Sequence, residues 1–205
     1  YLYTITDNNG CIFSDSVIIS EPSTAINVVD SITHVSCFNG MDGTANLFIS
    51  GGVSPYIESW PNTDPSQLLA GFSIYEILDS NNCLYVDSIF IDQPMLISVS
   101  EQINDVLCNG MSTGSALLQV TGGTQPYTYS WSNADTNQIV TNLATGSYMY
   151  TITDFNGCQN SGVVSISQSS PILVQNTITP STCPTTGDGS VSVTITGGIF
   201  PYSTN

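Results

Sequence analysis

Apolar side chains recur at every second position along several short stretches of the chain. Ala45, Leu47 and Ile49 occupy alternate positions just before a double glycine. The same spacing returns in two later stretches, at Ala116, Leu118 and Val120 and at Val191, Val193 and Ile195. Alternate side chains of an extended chain lie on one face, so a period of two predicts β-strands with one buried face.

A longer period organises these strands. The motif Gly-Gly-x-x-Pro-Tyr occurs at residues 51–56, 122–127 and 197–202, so it recurs after 71 and then 75 residues. Recurrence at a fixed spacing is the signature of tandem repeats. We predict four parts: the end of one repeat (1–21), a first complete repeat (22–93), a second complete repeat (94–170) and the first half of another (171–205).

The repeats predict an all-β fold. About 72 residues hold six or seven short strands, and turns that begin with Asp and contain Asn or Gly join two of these strands as hairpins. Trp60 and Trp131 follow the Pro-Tyr pair, where a sandwich carries its core tryptophan. Leu143 to Tyr148 stands where a tyrosine corner is expected, although Ser73 replaces this tyrosine in the first complete repeat. We expect tandem small immunoglobulin-like β-sandwiches, arranged as beads on a string.

The charge composition excludes several functions. The chain has no Lys or Arg, sixteen Asp and Glu, one His and a formal net charge of −16. Binding to nucleic acid or to an anionic membrane surface needs cationic side chains, and no apolar run is long enough for a membrane helix. Glu58 and Glu76 have the counterparts Tyr129 and Thr151, so a catalytic pair would not recur between repeats. We expect no catalytic residue, no cofactor, no metal ligand and no role for His34.

The six cysteines are disulfide candidates: Cys11, Cys37, Cys83, Cys108, Cys158 and Cys183. Two fall in each repeat, and the chain has no Cys-x-x-Cys motif, which argues against a zinc site. Pairing within repeats gives Cys37–Cys83 and Cys108–Cys158. In an immunoglobulin topology these positions lie at opposite ends of the sandwich, so stacking of repeats would instead give Cys37–Cys158. The sequence leaves both pairings open, with free thiols as a third alternative.

Two other residue classes invite a ligand. Asp42, Asp79, Asp154 and Asp188 stand at turns, where backbone capping is the simpler interpretation than calcium, because the spaced carboxylate series of a calcium loop is missing. Asp87 and Asp92, near a repeat boundary, are the positions where calcium remains an alternative. Among the aromatic residues, the tryptophans are expected in the core. Tyr56 and Tyr127 are the candidates for ligand contact, although a structural role is the simpler interpretation of both.

The motif set resembles the SprB repeat of gliding-motility adhesins from Bacteroidota. The residues that carry the resemblance in the second complete repeat are Cys108, Asn109, Gly110, Gly122, Gly123, Pro126, Tyr127, Ser130, Trp131, Gly146, Tyr148, Asp154, Asn156, Gly157 and Cys158. The first complete repeat departs at Ser73 and Asn82, and the last at Cys183-Pro184. The resemblance implies a very long adhesin at the outer-membrane surface, exported by the type IX secretion system and driven by the gliding machinery.

Three tripeptides, Asp15-Ser16-Val17, Asp30-Ser31-Ile32 and Asp87-Ser88-Ile89, resemble the Asp-Ser-apolar signal for O-glycosylation in Bacteroidota. They make Ser16, Ser31 and Ser88 candidate acceptors. We expect a non-catalytic stalk or adhesive segment whose partners are external surfaces or polysaccharide. The alternative function is a carbohydrate-binding or ligand-binding array that uses the loop aromatics Tyr56 and Tyr127.

Overall fold

The computed structural model describes residues 1–20, 24–183 and 187–203. These residues form fifteen β-strands and no helix. The chain divides into two compact units, Tyr1–Gln93 and Pro94–Asn205. The predicted all-β class is confirmed, and none of the described residues forms a helix long and apolar enough to cross a membrane.

The described residues of the first unit form seven strands in three antiparallel sheets. A hairpin of β1 (Leu2–Thr6) and β2 (Ile12–Ser16) comes first. β3 (Asn27–Thr33) then pairs with β4 (Thr44–Ser50). β5 (Ile57–Ser59), β6 (Gly71–Leu78) and β7 (Leu84–Ile91) form a sheet with β6 in the middle.

In the second unit, the part of the chain that the structure describes forms eight strands in three antiparallel sheets. β8 (Ser98–Asn104), β9 (Gly114–Thr121) and β11 (Ile139–Leu143) form one sheet, with β9 in the middle. β10 (Thr128–Trp131), β12 (Gly146–Thr153) and β13 (Gln159–Ile166) form another, with β12 in the middle. β14 (Leu173–Thr179) and β15 (Ser190–Thr196) pair with each other.

Each complete repeat buries a core of its own. In the first, Ala45 on β4 packs with Ile77 on β6, and in the second, Leu118 on β9 packs with Ile152 on β12. Both cores therefore form between two facing sheets. Trp131 is buried and Trp60 is partly buried against its core, which confirms the expectation that the tryptophans serve packing.

The first complete repeat has fewer strands than predicted. Its described residues form five, β3 to β7, and an isolated bridge between Gly43 and Leu68 stands where the second repeat has β11. The segment from Trp60 to Gly71 is four residues shorter than that from Trp131 to Gly146. This shorter segment between the two sheets forms a single β-bridge and is not long enough for a strand. The second complete repeat has six strands, within the predicted number.

Two parts of the sequence-based description stay predictions. One is the immunoglobulin-like topology. One contact of a kind found in that topology is present: as in a tyrosine corner, the Tyr148 hydroxyl donates to the Ala144 carbonyl at 3.0 Å. The other is the division into four repeat segments, whose first boundary, between 21 and 22, lies outside the described residues.

Candidate functional site

The feature that recurs in each repeat is the Gly-Gly-x-x-Pro-Tyr loop, which follows β4, β9 and β15. Both glycines of the second repeat have positive φ, +75° at Gly122 and +61° at Gly123. A Cβ added to Gly122 would lie 2.0 Å from the Leu96 carbonyl oxygen. The loop therefore needs glycine both for its backbone conformation and for the close approach of the neighbouring chain.

The tyrosine that ends the motif closes the loop on itself. The hydroxyl of Tyr127 donates to the Gly122 carbonyl at 2.5 Å, and that of Tyr56 donates to the Gly51 carbonyl at 2.5 Å. Both rings are partly buried against the core of their own repeat. Their polar atoms are thus used inside the loop, and the interpretation of Tyr56 and Tyr127 as ligand contacts finds no support in this geometry.

A buried aspartate ties the same loop to the hairpin turn beside it. In the first repeat, Asp79 Oδ1 accepts the backbone amides of Asn81 (2.9 Å) and Cys83 (2.8 Å), and Oδ2 accepts that of Val53 in the loop (3.0 Å). The side chain is only 3% exposed. The backbone amide of Cys83, followed by those of Val53 and Asn81, holds the pKa of Asp79 below its usual value against the opposing effect of burial.

The second repeat builds the same clasp. Asp154 Oδ1 accepts the amides of Asn156 and Cys158 at 2.9 Å, and Oδ2 accepts that of Thr124 at 2.8 Å. The second glycine of the motif lets the carboxylate approach, because a Cβ at Gly123 would lie 2.9 Å from Asp154 Oδ2. We call the glycine loop, its tyrosine and this aspartate the loop clasp.

The turn interpretation of the other aspartates is also confirmed. Asp42 accepts the amide and the hydroxyl of Ser36, and these bonds lower its pKa. Asp188 accepts the amide of Thr182 and the hydroxyl of Ser181. Within the described ranges, no group of three or more His, Cys, Asp or Glu side chains is placed to hold a metal ion, so neither Asp87 nor Asp92 belongs to such a cluster.

His34 has a contact that the sequence analysis missed. Its Nδ1 accepts the backbone amide of Asp92 at 3.0 Å, beside a bond from the Val35 amide to the Asp92 carbonyl. One repeat later, Asp105 stands at the same position and accepts the amide of Ser167 at 2.8 Å. His34 and Asp105 occupy equivalent positions in the two repeats. This equivalence could have indicated from the sequence that both side chains cap the same backbone segment.

The cysteines fall into two groups. Cys37 and Cys158 are disulfide-bonded. Cys11, Cys83 and Cys108 are exposed thiols, and Cys183 is exposed. Because Cys83 and Cys108 are thiols, the bridges within repeats, Cys37–Cys83 and Cys108–Cys158, are not formed, and that alternative is wrong for this structure. The alternative pairing of Cys37 with Cys158 stays a prediction.

The three candidate glycosylation serines are exposed. Ser16 ends β2, Ser31 lies in β3 and Ser88 lies in β7. The amides of Ser16 and Ser88 each bond the carboxylate of the preceding aspartate at 2.7 Å. These contacts leave the serine hydroxyls at the surface.

Two segments of the chain match a known repeat family. Residues 100–136 and 175–203 match the family model described as SprB repeat, and both matches run from the first strand of a repeat through its Gly-Gly-x-x-Pro-Tyr motif. Two segments of the chain match the SprB repeat. No curated protein matches the chain. The expected SprB resemblance is thus confirmed for these two segments.

Proposed function

We propose that this chain is a non-catalytic stalk or adhesive segment of a cell-surface adhesin that serves surface attachment and gliding. The observation that carries the proposal is that each complete SprB repeat has a separate buried core between its own sheets. A unit with its own core can be repeated along a chain without depending on its neighbours for stability. This property suits a segment that extends away from the cell surface.

The loop clasp supports a mechanical role. Asp79 and Asp154 each join two segments that are far apart in sequence, the glycine loop and the hairpin turn. The acceptors are buried carboxylates, whose hydrogen bonds are stronger than those between neutral groups. Separating the sheets of a repeat therefore requires breaking these bonds together with the core.

The charge composition is compatible with an exposed location. Sixteen carboxylates without a compensating Lys or Arg keep segments of the same kind apart by repulsion. In this proposal the protein is extracellular and associated with the outer membrane. Its partners are external surfaces or polysaccharide and, by family resemblance, the type IX secretion and gliding machinery.

Force extension of the purified chain tests the mechanical proposal. With the cysteines reduced, we expect two separate unfolding events for the two complete repeats, each releasing about 25 nm of chain. Asp79→Ala should weaken the event of the first repeat and leave that of the second unchanged. Smooth extension without discrete events would contradict independent, force-resistant repeats.

Glycosylation at Ser16, Ser31 and Ser88 is part of the proposal, because all three are exposed on strands. The intact mass of native protein should exceed the sequence mass by added hexose, and substitution of each serine by Ala should remove one glycan. An unchanged native mass would contradict this modification. The carbohydrate-binding alternative is not proposed, since the hydroxyls of Tyr56 and Tyr127 are used within their own loops.

A further inference from the structure

The outer face of the β5–β6–β7 sheet is apolar in the first complete repeat. Phe72 on β6 stands opposite Phe90 on β7, with ring centroids 5.0 Å apart, and the two side chains are 76% and 50% exposed. The further exposed apolar residues of the same sheet face are Ile57, Ile74, Leu84 and Val86. We call these six residues the apolar sheet face.

The fold does not require this face to be apolar. In the second repeat, the pair that corresponds to Phe72 and Phe90 is Ser147 and Ser165, again directly opposite each other. The pair that corresponds to Leu78 and Leu84 is Thr153 and Gln159. On this face the second repeat keeps one exposed apolar pair, Met149 and Val163. The same β-sheet thus forms without the two phenylalanines, so the exposed phenylalanines of the first repeat serve something other than folding.

One carboxylate lies within the apolar sheet face. Glu76 on β6 is flanked across the strands by Val86 and Ser59, and Ile74 precedes it on the same side of β6. In the two other hairpins of this kind, a pair of hydroxyl residues bonds across the strands at this position. These pairs are Thr4–Ser14 at 3.1 Å and Thr151–Ser161 at 2.9 Å. In the first repeat Val86 replaces the hydroxyl residue opposite Glu76 and has no donor, so Ser59 on the other side is the one neighbour across the strands with a hydroxyl.

We propose that the apolar sheet face, with Glu76 in it, is a docking surface for a protein that presents an arginine among apolar side chains. Ser88 lies on this face opposite Ile74, so the surface is open to the partner only in chains whose Ser88 carries no glycan. Covering the face would bury the Glu76 carboxylate, and a buried carboxylate needs a cationic donor beside it. Arginine fits because it bonds a carboxylate in a bidentate way and also packs on aromatic rings. A second copy of this chain does not fit, since it has no Lys or Arg and carries sixteen carboxylates itself.

Binding of two matched peptides to the full 205-residue chain tests the proposal. Both are amphipathic helices with a leucine face; one has a central arginine in that face and the other a glutamine. We expect the arginine peptide to bind and to shift the amide resonances of Phe72, Ile74, Val86 and Phe90. Glu76→Gln should weaken binding of the arginine peptide about tenfold, so that its affinity equals that of the glutamine peptide.

Variants that exchange residues between the repeats supply the controls. Phe72→Ser, Glu76→Thr, Val86→Ser and Phe90→Ser together give the first repeat the residues of the second, and this variant should fold and lose binding. Val29→Ser with Phe48→Gln makes the same kind of exchange at an exposed pair on β3 and β4, whose counterparts are Ser100 and Gln119, and should leave binding unchanged.

Three outcomes would overturn the proposal. Equal binding of both peptides to the parent chain would remove the role of Glu76. Resonance shifts away from the apolar sheet face would place the site elsewhere. Self-association of the parent chain in sedimentation, lost in the exchanged variant, would assign the face to a second copy. None of these outcomes changes the result expected in the force-extension experiment. The proposed docking surface and the proposed stalk function are therefore tested independently.

Discussion

Asp154 reaches out of its own hairpin turn and accepts the backbone amide of Thr124, thirty residues earlier, at 2.8 Å. The same carboxylate also holds the amides of Asn156 and Cys158 in the turn. One side chain thereby fixes the turn to the glycine loop of the same SprB repeat. This relationship explains why the loop and the turn recur together in the sequence.

Asp154→Ala should destabilise the second repeat strongly. The change removes the acceptor of three backbone amides at a site where Asp154 itself is only 5% exposed. Leaving these amides unsatisfied should lower the free energy of unfolding by at least about 2 kcal/mol. Chemical denaturation measures the loss. Asp135→Ala, which removes a carboxylate bound to the exposed Asn137 amide, is the control and should cost less. Equal losses would contradict the special role of Asp154.

Gly122→Ala and Gly157→Ala separate backbone strain from close contact. Both glycines have positive φ, +75° and +86°. An added Cβ at Gly157 meets nothing within 4 Å, whereas at Gly122 it lies 2.0 Å from the Leu96 carbonyl oxygen. Gly157→Ala should therefore cost about 1 kcal/mol through φ alone, and Gly122→Ala should cost clearly more. Denaturation midpoints of the two variants give the comparison, and similar midpoints would mean that the loop adapts to the methyl group.

Alkaline pH should unfold the protein through its two core tyrosines. Burial, followed by the neighbouring Tyr85, raises the pKa of Tyr75 to about 12, and burial, followed by the bond to Glu101, raises the pKa of Tyr150 to about 12. The pKa of tyrosine in an unfolded chain is about 10. Because the folded-state pKa is higher, this contribution to stability is complete below about pH 10 and is lost as the pH rises from about 10 to 12.

Tyrosinate absorbance, followed together with circular dichroism, measures this loss. Two of the ten tyrosines should ionise last, together with unfolding. Glu101→Gln should lower the pKa of Tyr150, whose hydroxyl donates to Glu101 at 2.7 Å, and should leave Tyr75 as the internal control. Ionisation of all tyrosines before unfolding would contradict the prediction.

The sequence predicts the local structure of the first complete repeat better than its tertiary contacts. The strand from Leu84 to Ile91 and the hairpin turn at Asp79 follow from alternation and from turn residues, both of which are local signals. The bond from Val53 to Asp79 depends on how two distant segments meet, so it was not predictable from spacing. The acceptor of the Tyr56 hydroxyl was not predictable for the same reason, because it is the carbonyl of a glycine whose position only the folded loop defines.

Thiol labelling of the oxidised chain should separate the cysteines into the two groups seen in the structure. Cys11, Cys83 and Cys108 should react with an alkylating reagent at once, and Cys37 and Cys158 only after reduction. Reduction should lower the free energy of unfolding by about 2–4 kcal/mol. Mapping of the unreduced peptides then identifies the disulfide partner directly, and recovery of a peptide that links Cys37 to Cys83 would contradict the assignment of Cys83 as a thiol.

Cys83 should react more slowly than its exposure suggests. The negative charge of Asp79, followed by burial, raises the pKa of this thiol, so less of the reactive thiolate is present near neutral pH. Asp79→Asn removes the charge and should speed alkylation of Cys83, while Cys108, in the other unit, provides the reference rate in the same sample. The comparison is made at a temperature where circular dichroism shows the variant folded. An unchanged ratio of the two rates would show that the Asp79 carboxylate does not control this thiol.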